Sequence, residues 1–122
     1  MARPDRRSAE QSGRFAEYLA LLYLSLKGYR LLAHRYRSPV GEIDLVMRRG
    51  GTTAFIEVKQ RASIDAAIQS VTPHQSRRIA AAARSFMAHD RMAAMQACRF
   101  DIVAICPYHW PRHIENAFYG DG

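Results

Sequence analysis

Residues 41–60, GEIDLVMRRGGTTAFIEVKQ, decide the fold of this chain. Apolar and polar residues alternate on both sides of Gly50-Gly51, a pattern typical of two antiparallel strands joined by a tight turn. Two glycines supply the positive φ angles that such a turn requires. The sequence therefore predicts a β-hairpin with strands at 42–47 and 53–60.

A two-residue turn also predicts the register of the hairpin. Opposed residues have numbers that add up to the same total as 50 and 51, because each step away from the turn is matched on the other strand. One face of the hairpin is then apolar throughout. Its opposed pairs are Ile43/Val58, Leu45/Ile56 and Met47/Ala54.

The opposite face of the hairpin carries the charged residues. Glu42 is expected across from Lys59, and Asp44 across from Glu57. Two carboxylates directly opposed, about 5 Å apart, destabilise a plain sheet, so a cation is expected between them. Mg²⁺ suits this position, since it binds through one or two carboxylates and engages phosphates. Lys59 would place an ammonium beside the ion, which indicates phosphodiester hydrolysis without a covalent nucleophile.

Two helices and three further strands are predicted around the hairpin. Residues 12–27 form a helix that is apolar on two sides, so both stripes are expected to be buried. The first stripe is Phe15, Leu19, Leu22 and Leu26, and the second is Leu21 and Leu24. Thr72 is expected to cap a second helix that runs to about residue 89, with Pro73 in its first turn. The remaining strands are predicted at 29–36, 99–106 and 114–119, the last at the edge of the sheet.

The charged residues in this order of elements resemble the PD-(D/E)XK nuclease superfamily, which includes restriction endonucleases and archaeal Holliday-junction resolvases. The Pro-Asp pair of the superfamily name is absent, because Ile43 precedes Asp44. The matching residues are Glu17, Asp44, Glu57 and Lys59. More narrowly, residues 13–119 resemble the YraN family of small bacterial proteins. The matching segments are GRFAEYLALLYLSLKGYRLL, GEIDLV, FIEVKQR, SVTPHQSRR and RFDIVAI.

The resemblance implies an α/β, restriction-endonuclease-like fold: a central mixed β-sheet flanked by helices, with an α-β-β-β-α-β core. It implies a site for Mg²⁺ or Mn²⁺ with Asp44, Glu57 and Glu17 as ligands, and a catalytic role for Lys59. The other interpretation of Glu17 is a carboxylate on the helix surface that pairs with an arginine. Gln75 is open to two interpretations. It completes a capping box with Thr72, or it serves the site from the start of the helix.

The charge of the chain favours a polyanionic partner. The 122 residues include 18 Lys and Arg against 11 Asp and Glu, a formal net charge of +7. This favours nucleic acid, most readily DNA. The candidate phosphate-binding residues are Arg61, Arg77, Arg78 and Arg84, whose other interpretation is a solvated helix face. In the late loop, Tyr108 and Trp110 either pack or stack on an unpaired base.

Three hypotheses for function follow. The first is a metal-dependent nuclease acting on DNA or branched nucleic acid, which for a junction resolvase requires a homodimer. The second is a non-catalytic nucleic-acid-binding module whose nuclease site is idle or depends on a partner. The third is a scaffold that binds an acidic protein through its arginines.

Length and composition indicate one domain, residues 11–120, after a flexible basic arm at 1–10. Cys98 and Cys106 are eight positions apart on one predicted strand, too far to pair, so both are expected to be reduced in the cytoplasm. The apolar run at 19–26 is too short to span a bilayer, and no membrane association is expected.

Overall fold

Four helices and five strands lie in the part of the chain that the computed structural model describes, residues 6–118, with side chains described from residue 13 onward. In chain order they are α1 Arg6–Leu26, β1 Arg30–Ser38, β2 Gly41–Arg49, β3 Thr52–Gln60, α2 Ile64–Gln69, α3 Pro73–His89, α4 Arg91–Met95, β4 Ala97–Ile105 and β5 Arg112–Ile114.

The five strands form one mixed sheet in the order β1-β2-β3-β4-β5. Only β3 and β4 are parallel, and the other neighbours are antiparallel. Parallel neighbours need a long crossover, which α2, α3 and α4 provide. Helix α1 packs on one face of the sheet, around Leu45 and Ile56, and α3 packs on the other, around Val46 and Phe55. The predicted α/β class with a mixed sheet flanked by helices is therefore confirmed.

The hairpin register is confirmed near the turn and ends at the candidate site. The five pairs from Arg49/Thr52 to Leu45/Ile56 follow the predicted register. Beyond them the ladder stops, and the carboxylate of Asp44 accepts a hydrogen bond from the backbone N–H of Val58 at 2.8 Å. A side chain thus takes the place of a ladder bond, and the two strands open at this point.

The predicted position of Ile43 is wrong. Ile43 packs in the core beside α3, whereas Leu45 packs in the core beside α1. Regular alternation would put both residues on one face. The neighbouring strand β1 explains the break, since Arg35 has a left-handed backbone with φ 55° between the pairs His34/Leu45 and Tyr36/Ile43. This local distortion turns Ile43 to the opposite face.

Helix α1 buries Leu24 of the second predicted stripe but leaves most of the first stripe exposed. It begins at Arg6 rather than at residue 12, and residues 1–5 of the predicted arm lie outside the described residues. Phe15, Leu22 and Leu26 are exposed, and the helix packs through its small residues and one leucine. Small side chains let a helix approach a sheet closely, a preference that apolar periodicity alone does not reveal. The buried stripe is Ala16, Ala20 and Leu24.

The remaining elements follow the prediction with small changes. The edge strand β5 ends at Ile114, earlier than predicted, and residue 119 lies outside the described residues. The short helix α4, capped by Asp90, was not predicted. Both cysteines are free, as expected. In residues 6–118 the structure contains no helix long and apolar enough to cross a membrane.

Gly41 sets how closely α3 approaches β2. A Cβ atom at this position would lie 2.0 Å from the backbone oxygen of Arg78. Because backbone cannot swing aside as a side chain can, Gly41→Ala is expected to push α3 off the sheet and to lower the free energy of unfolding by about 1–3 kcal/mol. Urea unfolding measures this.

The control for this substitution is Gly13→Ala in α1. Open space surrounds Gly13, and Ala stabilises a helix interior relative to Gly by about 0.5–1 kcal/mol. The two variants should therefore shift the urea midpoint in opposite directions. Equal stability of Gly41→Ala and wild type would show that the approach of α3 is not set by this glycine.

A candidate active site at the open end of the hairpin

All five predicted catalytic residues line one cleft of about 650 Å³. The cleft lies where β2 and β3 separate, between the middle of α1 and the start of α3. The hairpin and two helices on either side of it in sequence therefore contribute to the cleft. The five residues are Glu17, Asp44, Glu57, Lys59 and Gln75.

Asp44 and Glu57 form the acidic centre of the cleft. Glu57 is buried and Asp44 half-buried, and their side chains share a hydrogen bond. Burial is the largest cause of a raised pKa at Glu57, and the hydrogen bond and negative charge of Asp44 add to it. Lys59 opposes these effects only in part, so the pKa of Glu57 rises to about 9. The predicted meeting of the two carboxylates is thus present, and Glu57 keeps its proton to a higher pH than an ordinary glutamate does.

Lys59 lies beside this pair. Its ammonium is 3.6 Å from a carboxylate oxygen of Glu57, and its side chain is mostly buried. The predicted partner of Lys59 was Glu42, and that prediction is wrong. Glu42 is exposed and pairs with Arg37 at 3.6 Å, because the strands separate before Glu42 and Lys59 can face each other.

Gln75 connects α3 to the acidic centre. Thr72 caps the helix as predicted, since its hydroxyl accepts a hydrogen bond from the Gln75 backbone N–H at 3.1 Å. In a capping box the Gln75 side chain would bond back to Thr72, and in this structure it does not. Its amide N–H donates to a carboxylate oxygen of Glu57 instead. The structure therefore places this side chain in the site.

Glu17 lies on the cleft wall but is held by two basic residues. Arg35 donates to both of its carboxylate oxygens at 3.0 Å, a bidentate pair, and the His34 ring nitrogen lies 3.1 Å from one of them. The pairing raises the pKa of Arg35, chiefly through the hydrogen bonds to Glu17. Glu17 therefore positions Arg35 in this structure, and its role as a metal ligand stays a prediction.

A second hollow of about 340 Å³ continues from the cleft past Asp44. Sequence reasoning did not single out the basic residues of this hollow. The spacing of these residues in the sequence does not indicate that they lie together. Arg35 reaches the hollow because the backbone of β1 is distorted at this residue. The three are Arg14, Arg35 and Arg37.

The four arginines predicted to bind phosphate divide into two groups. Arg61 and Arg78 line the cleft. Arg77 and Arg84 are exposed on α3 and are not among the residues that line it. The basic surface around the acidic centre thus includes Arg61 and Arg78 together with the arginines of the second hollow.

The donor set suits a hard divalent cation. Asp44 and Glu57 offer carboxylate oxygens that lie close to each other, and a cation between them would relieve the repulsion that helps to raise the pKa of Glu57. Mg²⁺ needs only one or two protein carboxylates, because it keeps several waters. Among the described residues, no group of three or more His, Cys, Asp or Glu side chains is placed to hold a metal. The fit is therefore to a two-carboxylate site for Mg²⁺ or Mn²⁺.

Replacing Glu57 with Gln is expected to raise the free energy of unfolding of the metal-free protein, and to do so more at higher pH. Folding raises the pKa of Glu57 from 4.5 to about 9. The folded protein thus holds a proton that the unfolded chain releases across this range. Its stability falls as pH rises between these values, by at most about 1.4 kcal/mol per pH unit. Gln has no such proton, so the variant escapes this loss.

Urea unfolding at about pH 5 and about pH 8, in a chelator, measures this effect. Glu42→Gln is the matched control, since it makes the same substitution at an exposed glutamate on the neighbouring strand. A Glu57→Gln variant less stable than wild type at both pH values would contradict the expectation.

Comparison with known proteins identifies relatives along nearly the whole chain. The UPF0102 protein of Agrobacterium fabrum (strain C58) is 50% identical over 113 residues, which cover 93% of each chain. The UPF0102 protein of Methylorubrum extorquens (strain PA1) is 48% identical over 117 residues, 96% of this chain and 91% of its own. Residues 16–105 match the model of the uncharacterised protein family UPF0102, the family of the YraN proteins. The chain therefore belongs to the uncharacterised protein family UPF0102.

Proposed function

We propose that this protein is a metal-dependent nuclease that hydrolyses phosphodiester bonds in DNA or in branched nucleic acid, in the cytoplasm. The observation that carries the proposal is the meeting of Asp44, Glu57, Lys59 and Gln75 in one cleft. A close pair of carboxyl groups, one of them buried with a strongly raised pKa, is costly and is typical of functional sites. We extend the proposal to a restriction-endonuclease-like fold, which the order of α1, the hairpin, α3 and β4 supports.

Asp44 and Glu57 would hold Mg²⁺ or Mn²⁺. When bound, such an ion would supply positive charge to the phosphodiester and would lower the pKa of a bound water below that of bulk water. The chain's own contribution is to keep the two carboxylates together. The Val58 N–H fixes the orientation of Asp44, and the Gln75 amide fixes that of Glu57.

Lys59 contributes a fixed positive charge close to the carboxylates. Its ammonium is held 3.6 Å from Glu57 and mostly out of water, where an electrostatic interaction is stronger than in bulk solvent. Such a group stabilises negative charge that develops on a phosphate as its bond breaks. Lys59 donates protons and accepts none while charged, so its role is to bind and orient the reacting oxygens.

The surroundings of the cleft support a nucleic-acid substrate. Arg61 and Arg78 line it, and Arg14 and Arg35 line the adjoining hollow. Arginine forks pair with phosphate oxygens, and the chain as a whole carries +7. The basic residues would hold the phosphate backbone on both sides of the acidic centre.

A second candidate is a nucleic-acid-binding module without catalytic activity. The pairing of Glu17 with Arg35 favours it, because this pairing leaves two carboxylates rather than three for a cation. The raised pKa of Glu57 favours it too, because a cation must displace a proton from this carboxyl group to bind. The two candidates differ in metal dependence.

A panel of end-labelled substrates tests the proposal. The panel holds linear duplex, single strand, flap, three-way junction, four-way junction and RNA, each incubated with Mg²⁺, with Mn²⁺ or with a chelator. Cutting that requires the metal supports the nuclease. Binding without cutting under every condition overturns it in favour of the binding module. If only the four-way junction is cut, two sites are needed, and sedimentation should then show a homodimer.

A further inference from the structure

Two large aromatic side chains stand in solvent on the loop between β4 and β5. Tyr108 is fully exposed, and Trp110 is 87% exposed. Aromatic side chains of this size usually contribute to a core or an interface, where they bury 150–250 Å² each. Here the described fold gains almost no burial from either of them. Their surface is available to a partner.

The backbone at Tyr108 is unfavourable for the residue it carries. The His109 N–H donates to the Cys106 carbonyl at 3.3 Å, which closes a four-residue turn with Pro107 in its second position. Tyr108 occupies the third position with φ 63°, in the left-handed region. A turn with Pro second and a positive φ third favours Gly or Asn at that place. Since Tyr108 also gains no packing, the fold itself would be better served by glycine.

The loop holds its aromatics in a restricted arrangement. Pro107 and Pro111 flank them, and each proline restricts its own φ and the residue before it. Little conformational freedom is then lost when a partner binds Tyr108 or Trp110. Preorganisation of this kind favours binding.

The loop lies at the same edge of the sheet as the candidate active site. Strands β3 and β4 are parallel, so their carboxyl ends meet at one edge. Lys59 on β3 lies opposite Ala104 on β4, and Ala104 lies opposite Arg112 on β5. The three residues form a row across the sheet, with roughly 10 Å between the backbones of Lys59 and Arg112. The Arg61 N–H bonds the Ile105 carbonyl at 3.1 Å, immediately before the loop.

The charge around the loop suits a nucleic acid. Residues 106–113, CPYHWPRH, contain no acidic side chain. Arg61 and Arg112 are exposed near its two ends. Exposed aromatics between basic residues are typical of surfaces on which bases of single strands stack, because every base has a π-face. In a duplex those faces are already covered by neighbouring bases.

We propose that Tyr108 and Trp110 stack on unpaired bases, so that the substrate is a nucleic acid with a single-stranded segment beside the bond to be cut. This inference rests on the proposed function for the cut itself. The stacking can be tested without any cutting.

Trp110 is the single tryptophan of the chain, so its fluorescence reports on this loop alone. The full chain is titrated in a chelator with oligothymidylate, with oligouridylate, with an abasic deoxyribose-phosphate oligomer of equal length, and with a blunt-ended linear duplex. Stacking predicts strong quenching by the two base-bearing single strands and little by the abasic oligomer or the duplex. The ratio between the first two tells whether DNA or RNA is preferred.

Two variants connect the fluorescence to affinity. Trp110→Ala and Tyr108→Gly are each expected to lower the ratio of single-strand to duplex affinity about tenfold, measured by anisotropy of labelled oligonucleotides. Tyr108→Gly should keep the melting temperature or raise it by a few degrees, because it relieves the turn. Met95→Ala is the control, an 85% exposed apolar residue just before β4, at the opposite end of that strand.

Three results would overturn the stacking. They are equal quenching by the abasic oligomer, an unchanged affinity ratio in both variants, or a lower melting temperature in Tyr108→Gly. These outcomes are independent of the nuclease proposal. Quenching without cleavage of any substrate keeps the stacking and removes the nuclease, whereas cleavage without quenching keeps the nuclease and removes the stacking.

Discussion

Replacing Lys59 with Met is expected to lower kcat/KM for metal-dependent phosphodiester cleavage by about 10²–10³-fold. Met keeps most of the apolar stem that Lys59 packs in the cleft wall and removes only the charge. The loss of one preorganised charged donor has this magnitude where the donor stabilises developing negative charge. The effect should fall on kcat more than on KM, because the exposed arginines contribute most of the binding.

Arg91→Ala is the matched control for this variant, since it removes the same unit of charge. Arg91 is exposed in α4, just before β4 and away from the cleft-lining residues. Its cleavage rate should stay close to that of wild type. A Lys59→Met variant that keeps more than a tenth of the wild-type rate would show that this ammonium does not take part in the reaction.

Asp101→Asn is expected to lower the free energy of unfolding by about 3–5 kcal/mol, the range found when one partner of a buried ion pair is removed. Asp101 is completely buried on β4. It accepts hydrogen bonds from Arg99 at 2.8 Å, and from the Asn116 backbone N–H at 3.0 Å. The His113 ring nitrogen lies 2.7 Å from it. The variant leaves the Arg99 charge with only the more distant and half-exposed carboxylate of Glu115, at 3.8 Å.

We also expect the difference in unfolding free energy between wild type and Asp101→Asn to depend on pH. Burial works to raise the pKa of Asp101, but the hydrogen bonds from His113, Arg99 and Asn116 outweigh burial and hold it below the usual 3.8. A lowered pKa in the folded state means that the stabilisation is present above about pH 4 and is lost as the carboxylate protonates at lower pH. The gap between wild type and variant should therefore narrow in acid.

Urea unfolding at about pH 7 and about pH 3 measures both effects. Asp65→Asn, on an exposed residue of α2, is the control and should change stability by less than about 0.5 kcal/mol. A gap that stays constant with pH would contradict the assigned role of the Asp101 carboxylate. The hydrogen bonds around Asp101 also hold the edge strand β5 in place, because His113 belongs to that strand.

The prediction of the candidate site relied on rules for residues that are close together in sequence, and the structure follows these rules. Gly50-Gly51 determines the turn, and the turn determines the register that brings Asp44 and Glu57 together. Thr72 and Pro73 determine where α3 begins, and hence where Gln75 lies along that helix. These rules work because they involve neighbours in sequence, where chain geometry leaves few alternatives.

Other features depend on contacts between distant segments. The orientation of Ile43 follows from the left-handed backbone of Arg35 on the neighbouring strand. The partner of Glu17 is Arg35, 18 positions away, and no pattern in either segment indicates the pair. The exposure of the apolar stripe of α1 also depends on distant contacts. Periodicity locates an apolar face of a helix, but it does not predict which face packs closest to the sheet.

The sequence by itself determined the hairpin, its register at the turn, the second helix cap and the acidic pair with its lysine. Local backbone preferences and the two-residue period of a strand suffice for these. Only the tertiary structure decided that the strands open at Asp44, that Gln75 turns to Glu57 rather than to its own cap, and that Glu17 holds Arg35. Each of these is a choice between hydrogen-bond partners of similar strength, and only the packing of the surrounding elements determines which partner lies within reach.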